Sequence, residues 1–431
     1  MRLLDLLQMN LRYERCVGVE LFTDDGKRIL DFLSGYCVHN VGHNHPYVVR
    51  ALQSELARCG PAMIQTHVAD LAGELAEKLC ERAGGRLEKA LFTSSGSEGV
   101  EAAIKFARAH TKRGGILSAE HAFHGLTCGA LSLMSDKFWS EGFGPLLPET
   151  AALPFGDLEA LERELKSKRW AAFMVEPIQS EAGVCVPQAD YLRSAESLCR
   201  RYGTLFVLDE VQTGMYRTGH FLAAHEFGVA PDMVILAKAM SGGLVPCGAV
   251  LMSEEVCHSV YSSLPRAFVH TSTFGENSLA MRAALATLEV LESEQLGSRS
   301  IEAGKYLQAR LSDTLRDFEM VKEVRGMGLL MGIEFQAPRQ LRLRLPYQAF
   351  AAIHPAVFGQ IMVMRLFRDS GFLTQICGNN FMVLKVAPPL VVTDEQLDAF
   401  VLAIRDVVGL AHAPGAFWSE ALGLARRAFR G

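Results

Sequence analysis

A lysine that closes an apolar run is the first residue with chemistry to offer. In PDMVILAKAMSGG, Lys238 follows Met233 to Ala237 and precedes a Ser-Gly-Gly loop. A desolvated lysine has a lowered pKa and attacks aldehydes. A strand-end lysine that snorkels to water is the competing reading. In TLFVLDEVQTG, four apolar residues, Leu205 to Leu208, end in Asp209 and Glu210. Parallel strands present their C-terminal residues where α/β sheets bind ligands, although any strand can end in polar residues. In LFTSSGSEGVEAAIK, a strand enters Ser94, Ser95, Gly96 and Ser97 and then a helix. The unpaired N–H groups and dipole of such a helix start attract phosphate. An ordinary capping turn would be spelled the same way.

An amine for an aldehyde, a carboxylate for a ring nitrogen and a cradle for a phosphate are together what pyridoxal phosphate (PLP) chemistry requires. The protein anchors that cofactor and sets its electronics.

The elements that must position these residues follow from the apolar pattern. From about residue 90 to 275, the strand-like runs KALFTS, GGILSA, AAFMVEP, TLFVLDE, MVILA and CGAVLMS alternate with helical stretches such as VEAAIKFARAH and DYLRSAESLCRRY. The alternation predicts an α/β fold with a mostly parallel sheet flanked by helices. Residues 16–33 predict a hairpin, VGVELF and RILDFL around Asp24, Asp25 and Gly26. Helical spacing marks 46–59, 67–83 and 278–317. EVRGMGLLMGIEF and FMVLKVAPPLVV read as strands of a smaller α+β domain, and Thr393 to Gln396 open a helix. The expected division is an N-terminal segment 1–60 belonging to the small domain, a large cofactor-binding domain 61–300, and a C-terminal small domain 301–431.

Composition narrows the function. The 431 residues are 49% hydrophobic and 21% charged, with a net charge of −5 and a pI near 6.2. Nothing in that balance calls for nucleic acid. No apolar run is long enough for a membrane-spanning helix, and the N-terminus lacks a secretory pattern. Ten cysteines are scattered singly with no C-x-x-C pair, which points to a reducing cytoplasm. His43 and His45 in GHNHP have an H-x-H spacing, but a turn is the favoured reading and no metal is expected.

The chain resembles the class III (ω-) aminotransferases, of PLP fold type I, over nearly its whole length. It is most similar to the ornithine, acetylornithine and putrescine types. The resemblance rests on DFLSGYCVHNVGHNHP, FTSSGSEGVEAAIKFAR, AFHGLTCGALS, VEPIQSEAGVCVP, LFVLDEVQTGMYRTG, ILAKAMSGG, HTSTFGENSLA, VRGMGLLMGIEF and APPL. It implies that Lys238 holds the cofactor as a Schiff base and moves the substrate proton, and that Asp209 pairs with the pyridine nitrogen. Gln212 would bond near the ring hydroxyl, and Phe123 would stack on the ring. Ser95, Gly96 and Ser97 would take the phosphate. His124 and Glu176 would line the cofactor, and Thr273 would reach the phosphate of a neighbouring subunit, making a homodimer with shared active sites. The implied reaction is ping-pong transamination. Other reactions of this fold, by aminomutases, racemases or decarboxylating enzymes, remain the alternative.

Departures bear on the substrate. Glutamate-using relatives carry Arg before the PPL segment; here it is Lys385, which lacks the planar fork for a carboxylate. Glu181 matches the glutamate that pairs with that Arg, so a Glu181–Lys385 gate is expected, with glutamate/2-oxoglutarate as the donor pair. The ornithine type has Arg where this chain has Leu126, while Tyr36 keeps the position of a carboxylate-holding Tyr. Loss of one contact favours an amine or aldehyde with an apolar or polyamine-like body over ornithine. Residues 336–380 are unusually apolar and read either as a lid or as an ordinary small-domain helix. The stretch 417–430, with Phe417, Trp418, Leu422, Arg426, Arg427, Phe429 and Arg430, reads either as a tail docked on its own protein or as a membrane-surface helix.

Overall fold

The computed structural model describes residues 4–5, 7–64, 68–351, 356–413, 415 and 417–420. It divides into two compact units. The larger comprises Asn44–Ser180 and Val186–Gly297; the smaller comprises Met1–His43, Glu181–Cys185 and Ser298–Gly431. Helix Pro46–Ala57 packs on helix Ser278–Ser293 and so groups with the larger unit, not with an N-terminal segment 1–60.

The larger unit is built on a seven-stranded sheet. Its order is Lys89–Thr93, Gly248–Met252, Met233–Leu236, Leu205–Asp209, Trp170–Val175, Gly115–Ala119, Thr150–Leu153. Gly248–Met252 runs antiparallel to both neighbours, and the other pairs are parallel. The five interior strands, from Gly248–Met252 to Gly115–Ala119 in this order, are fully buried. That is why they are spelled as unbroken apolar runs rather than alternating ones. Thr150–Leu153 escaped the sequence pattern because it is a four-residue, half-buried edge strand. Helix Gly96–Thr111 buries Val100, Ala103, Ile104 and Ala107 on one stripe. Gly99 on that stripe is required by close approach: a Cβ there would lie 2.7 Å from Ile235 Cγ2.

The smaller unit holds two four-stranded sheets. One runs Tyr13–Val17, Glu20–Thr23, Arg28–Asp31, Phe372–Leu373, and the other Val321–Met327, Leu330–Phe335, Val383–Val386, Gln375–Ile376. The expected strand VGVELF is broken at Gly18, whose φ of +59° ends one strand before the next begins. Helix Asp394–Ala411 starts with a complete capping box between Thr393 and Gln396.

Within 336–380, helix Ala356–Ser370 buries Phe358, Ile361, Met362, Val363, Leu366 and Phe367 and forms core of this unit. The ordinary-helix alternative is therefore the one observed over 356–370; residues 352–355 lie outside the described residues. Phe417 and Trp418 are buried against Phe358, and Glu420 pairs with Arg365 and Arg368. The start of the tail docks on its own unit. Leu422, Arg426, Arg427, Phe429 and Arg430 lie outside the described residues. Among the described residues no helix is long and apolar enough to cross a membrane.

Candidate active site

Three neighbouring parallel strands of the larger unit each end in one chemically useful residue. Trp170–Val175 leads to Glu176, Leu205–Asp209 ends in Asp209, and Met233–Leu236 leads through Ala237 to Lys238. Ligand-binding side chains of such a sheet sit at these C-terminal ends. Lys238 opens a short 3-10 turn, Lys238–Ser241, that packs on helix Ser278–Ser293. Its φ is +48°, a conformation that side chains other than glycine rarely hold without a functional reason.

Asp209 is 5% exposed. Its Oδ2 lies 2.8 Å from His124 Nδ1, and its Oδ1 accepts the Val211 N–H at 3.1 Å. His124 is buried, and its Nε2 has no hydrogen-bond partner among the described residues. Burial alone would lower the imidazole pKa. The bond to Asp209 and the charges of Asp209 and Glu176 outweigh it and hold the ring above its ordinary value. Burial, aided by the Asp209 charge, pushes the Glu176 carboxyl up to about 7. Glu176 accepts the N–H of Phe123 at 3.0 Å and of Ser180 at 3.1 Å. The Phe123–His124 segment is thus hung between Glu176 and Asp209, with the Phe123 ring edge-on to Trp139 at 5.2 Å.

After the edge strand Lys89–Thr93, Ser95 caps helix Gly96–Thr111 by accepting the Glu98 N–H, and Glu98 answers by accepting the Ser94 N–H at 2.9 Å. The first-turn N–H groups of Gly96 and Ser97 have no acceptor within the helix. A Cβ on Gly96 would lie 3.0 Å from Val211 Cγ2. Gly125, with φ of +114°, lies against Ser97: a Cβ there would reach 2.1 Å from Ser97 Oγ. Val211 and Gly125 belong to the Asp209 and His124 loops, so the helix start, Asp209 and His124 form one locality. Gln212 is buried in the loop after Asp209. Thr273 lies on an exposed loop whose Ser272 hydroxyl donates to Glu98 at 3.2 Å, beside a cleft of about 550 Å³ lined by Phe92, Tyr261, Phe268, His270, Ser272 and Glu276.

Glu210 does not join this locality. Its carboxylate accepts the Thr213 hydroxyl at 2.6 Å and the Ala223 and Ala224 N–H groups at 2.9 and 2.8 Å. It ties down the loop that follows the strand.

The smaller unit brings together Tyr36, Glu181 and Lys385. Lys385 is fully buried, bonded to Glu181 Oε1, and lies 5.4 Å from the centre of the Tyr36 ring. Burial alone would lower the ammonium pKa; the Glu181 charge holds it above its ordinary range. Glu181 Oε2 accepts the Gly378 N–H at 2.8 Å. Tyr36 sits in a turn that is left-handed throughout: Ser34, Gly35, Tyr36 and Cys37 have φ of 52°, 59°, 62° and 66°. Such a turn costs about 1–2 kcal/mol per non-glycine residue. It is held by Asp31, whose Oδ1 accepts the Leu33 and Ser34 N–H groups and whose Oδ2 lies 2.7 Å from His43 Nε2. Asp31 was not a candidate in the sequence, and the D-x-x-S spacing was its one signal. His43 serves this turn, and His45 caps helix Pro46–Ala57.

These residues fit PLP. Asp209, almost without water, can face a cationic ring nitrogen; the helix start can take a phosphate; and the uncommitted Nε2 of buried His124 needs a polar neighbour of the kind a ring substituent supplies.

The family model for aminotransferase class-III matches residues 5–408. The chain is 37% identical to the acetylornithine aminotransferase of Methanocaldococcus jannaschii over 402 residues, 90% of this chain and 91% of that one. It is 35% identical over 426 residues to aminotransferase PigE of a Serratia species, covering 92% of this chain but spanning only 50% of that relative. The fold superposes on the ornithine aminotransferase of Toxoplasma gondii, solved with PLP at partial occupancy in its active site, with a TM-score of 0.83. Sequence identity there is 30%, covering 93% of this chain and 91% of the other. The chain belongs to the class III aminotransferases, PLP-dependent transaminases of fold type I.

Proposed function

We propose that this transaminase moves an amino group between glutamate/2-oxoglutarate and the terminal amine or aldehyde of an apolar or polyamine-like substrate, in two half-reactions at one site. When bound, PLP supplies the electron sink that makes the substrate Cα proton acidic. The observation that carries the reading is the placement of Lys238 and Asp209 on adjoining parallel strands, with Asp209 buried against His124. Lys238 Nζ holds the cofactor at rest and, once released by substrate, takes the proton from Cα and returns it. Asp209 keeps the ring nitrogen protonated, and His124 holds Asp209 in place. Ser95, Gly96 and Ser97 anchor the phosphate, Phe123 covers a ring face and Gln212 bonds near the ring hydroxyl. Glu176 fixes the Phe123 backbone.

Lys385 receives the carboxylate of the amino-acid donor, and Glu181 takes its place when a substrate without that carboxylate is bound. Leu126, 56% exposed where ornithine-type enzymes carry a cation, supports an apolar substrate body. Thr273 completes the site of a second copy of the chain. Exposed Leu264, Phe268 and Phe274 around it support assembly through this face.

The test is a panel of amines and aldehydes offered to the PLP and pyridoxamine forms, read as spectral half-reactions. Conversion by hydrophobic amines or diamines, with regeneration by 2-oxoglutarate, is expected. Reaction confined to α-amino acids with small side chains would remove the substrate proposal, and turnover without any second carbonyl compound would replace transamination with a mutase or racemase.

A further inference from the structure

Residues Glu181–Cys185 fold with the smaller unit although the chain on either side belongs to the larger one. Their turn is strained. Gly183 has φ of +122°, and Val184, β-branched and fully buried, has φ of +53°. A β-branched residue holds that conformation only where its surroundings over-determine it.

Val383, Asn380 and Gly332 pack on the turn, and the side chain that bonds its backbone is Arg325. Arg325 donates from Nε and Nη2 to the Gly183 carbonyl, at 2.9 and 2.7 Å. Its Nη1 is braced by Glu323 at 3.0 Å and by Glu334. A Cβ on Gly183 would lie 3.0 Å from Arg325 Nη2, so the guanidinium is packed on the turn as well as bonded to it. Two residues earlier, the Glu181 carbonyl accepts the Asn379 N–H at 2.9 Å, and its carboxylate is shared between Gly378 N–H and Lys385.

We propose that Arg325 is a positioning residue that sets how strongly Glu181 competes with substrate carboxylates for Lys385. This rests on reading the Glu181–Lys385 pair as the carboxylate gate. Glu181 is an intramolecular competitor, and its strength is an effective concentration fixed by how firmly its backbone is held. Loosening the turn lets Val184 relax, takes Glu181 away from Lys385 and leaves a buried ammonium in want of an anion. A substrate carboxylate then binds more tightly, not less. A purely structural role for Arg325 would give the opposite sign.

The probe is glutarate, a dicarboxylate without an amino or keto group, titrated calorimetrically into holoenzyme. Arg325→Met is expected to tighten glutarate by ~5-fold or more, the low end of usual site-to-site coupling. Arg325→Lys, with one prong, should fall between it and the parent. Glu334→Gln, which weakens the brace and the Lys322 pair but leaves Arg325 and Glu323 in place, should shift affinity in the same direction and carries the test if Arg325→Met does not fold. Unchanged or weaker glutarate binding in these variants, alongside a clear loss in Lys385→Ala, overturns the role of Arg325 and leaves the gate standing. Unchanged binding in Lys385→Ala overturns the gate itself, and the role of Arg325 with it.

Discussion

Asp209 has a strong partner and almost no water, and both facts govern its use. A carboxylate in that setting is worth far more to a cationic ring nitrogen than one at the surface. Asp209→Asn keeps the shape and the bond to His124 but loses the charge. It is expected to lower kcat by ~100-fold or more, as for removal of a preorganised electrostatic group. His124→Ala leaves the charge but frees its orientation, so its loss should be smaller; steady-state kinetics on both variants decides the order. Lys385→Ala should weaken glutamate and 2-oxoglutarate much more than a neutral amine, measured as kcat/KM for each half-reaction, and an equal effect on both would take Lys385 out of the carboxylate site.

Lys238 and Asp209 stand out in the sequence because each ends an apolar run. The His124–Asp209 pair does not, because its partners lie 85 residues apart and meet only through the sheet. The Arg325–Gly183 contact spans 142 residues and is equally silent.

At the scale of elements, the helix start and the two loops beside it stand or fall together. Gly125→Ala would force a side chain into the left-handed region and onto Ser97. A cost of about 1–3 kcal/mol is expected, read as a lower Tm together with weaker cofactor retention. The Asp209 strand has its own pH signature. Burial raises the Glu210 carboxyl from 4.5 to about 7, against three hydrogen bonds that lower it. A folded-state pKa above the unfolded one means the native chain binds the extra proton. The associated stability is complete below about pH 4.5 and is lost as pH rises through about 7, to the extent of ~3 kcal/mol. Glu176 adds a loss of the same sign. Tm should therefore fall from pH 5 to 8, and the fall should be shallower in Glu210→Gln; an equal slope would assign the effect elsewhere.

Buried strands such as Trp170–Val175 are legible because both faces are apolar. The left-handed turn at Ser34–Cys37 is not, since Ser, Tyr and Cys have no preference for positive φ and it is held by Asp31 and by the Ser34 hydroxyl's bond to the distant Ala387 carbonyl.

For the whole molecule, the chain does not fold in sequence order. The five residues Glu181–Cys185 belong with the smaller unit, and helix Pro46–Ala57 belongs with the larger. Boundaries drawn from composition could follow neither, because no linker-like stretch marks those crossings. The exposed Phe268 and Phe274, 75% and 62% accessible beside Thr273, supply apolar area for the second copy proposed above. The protein should sediment as a dimer, and Phe268→Asp should shift it toward monomer with a parallel loss of activity; a monomeric, fully active parent would show that Thr273 completes no second site.

Lys238 is proposed to hold the cofactor as a Schiff base. Borohydride reduction of the holoenzyme fixes that linkage as a stable secondary amine, and peptide mass mapping then locates it. The cofactor mass is expected on the peptide containing Lys238, and it should disappear in Lys238→Ala. Cofactor trapped on another lysine, or none trapped in protein that still transaminates, would contradict it.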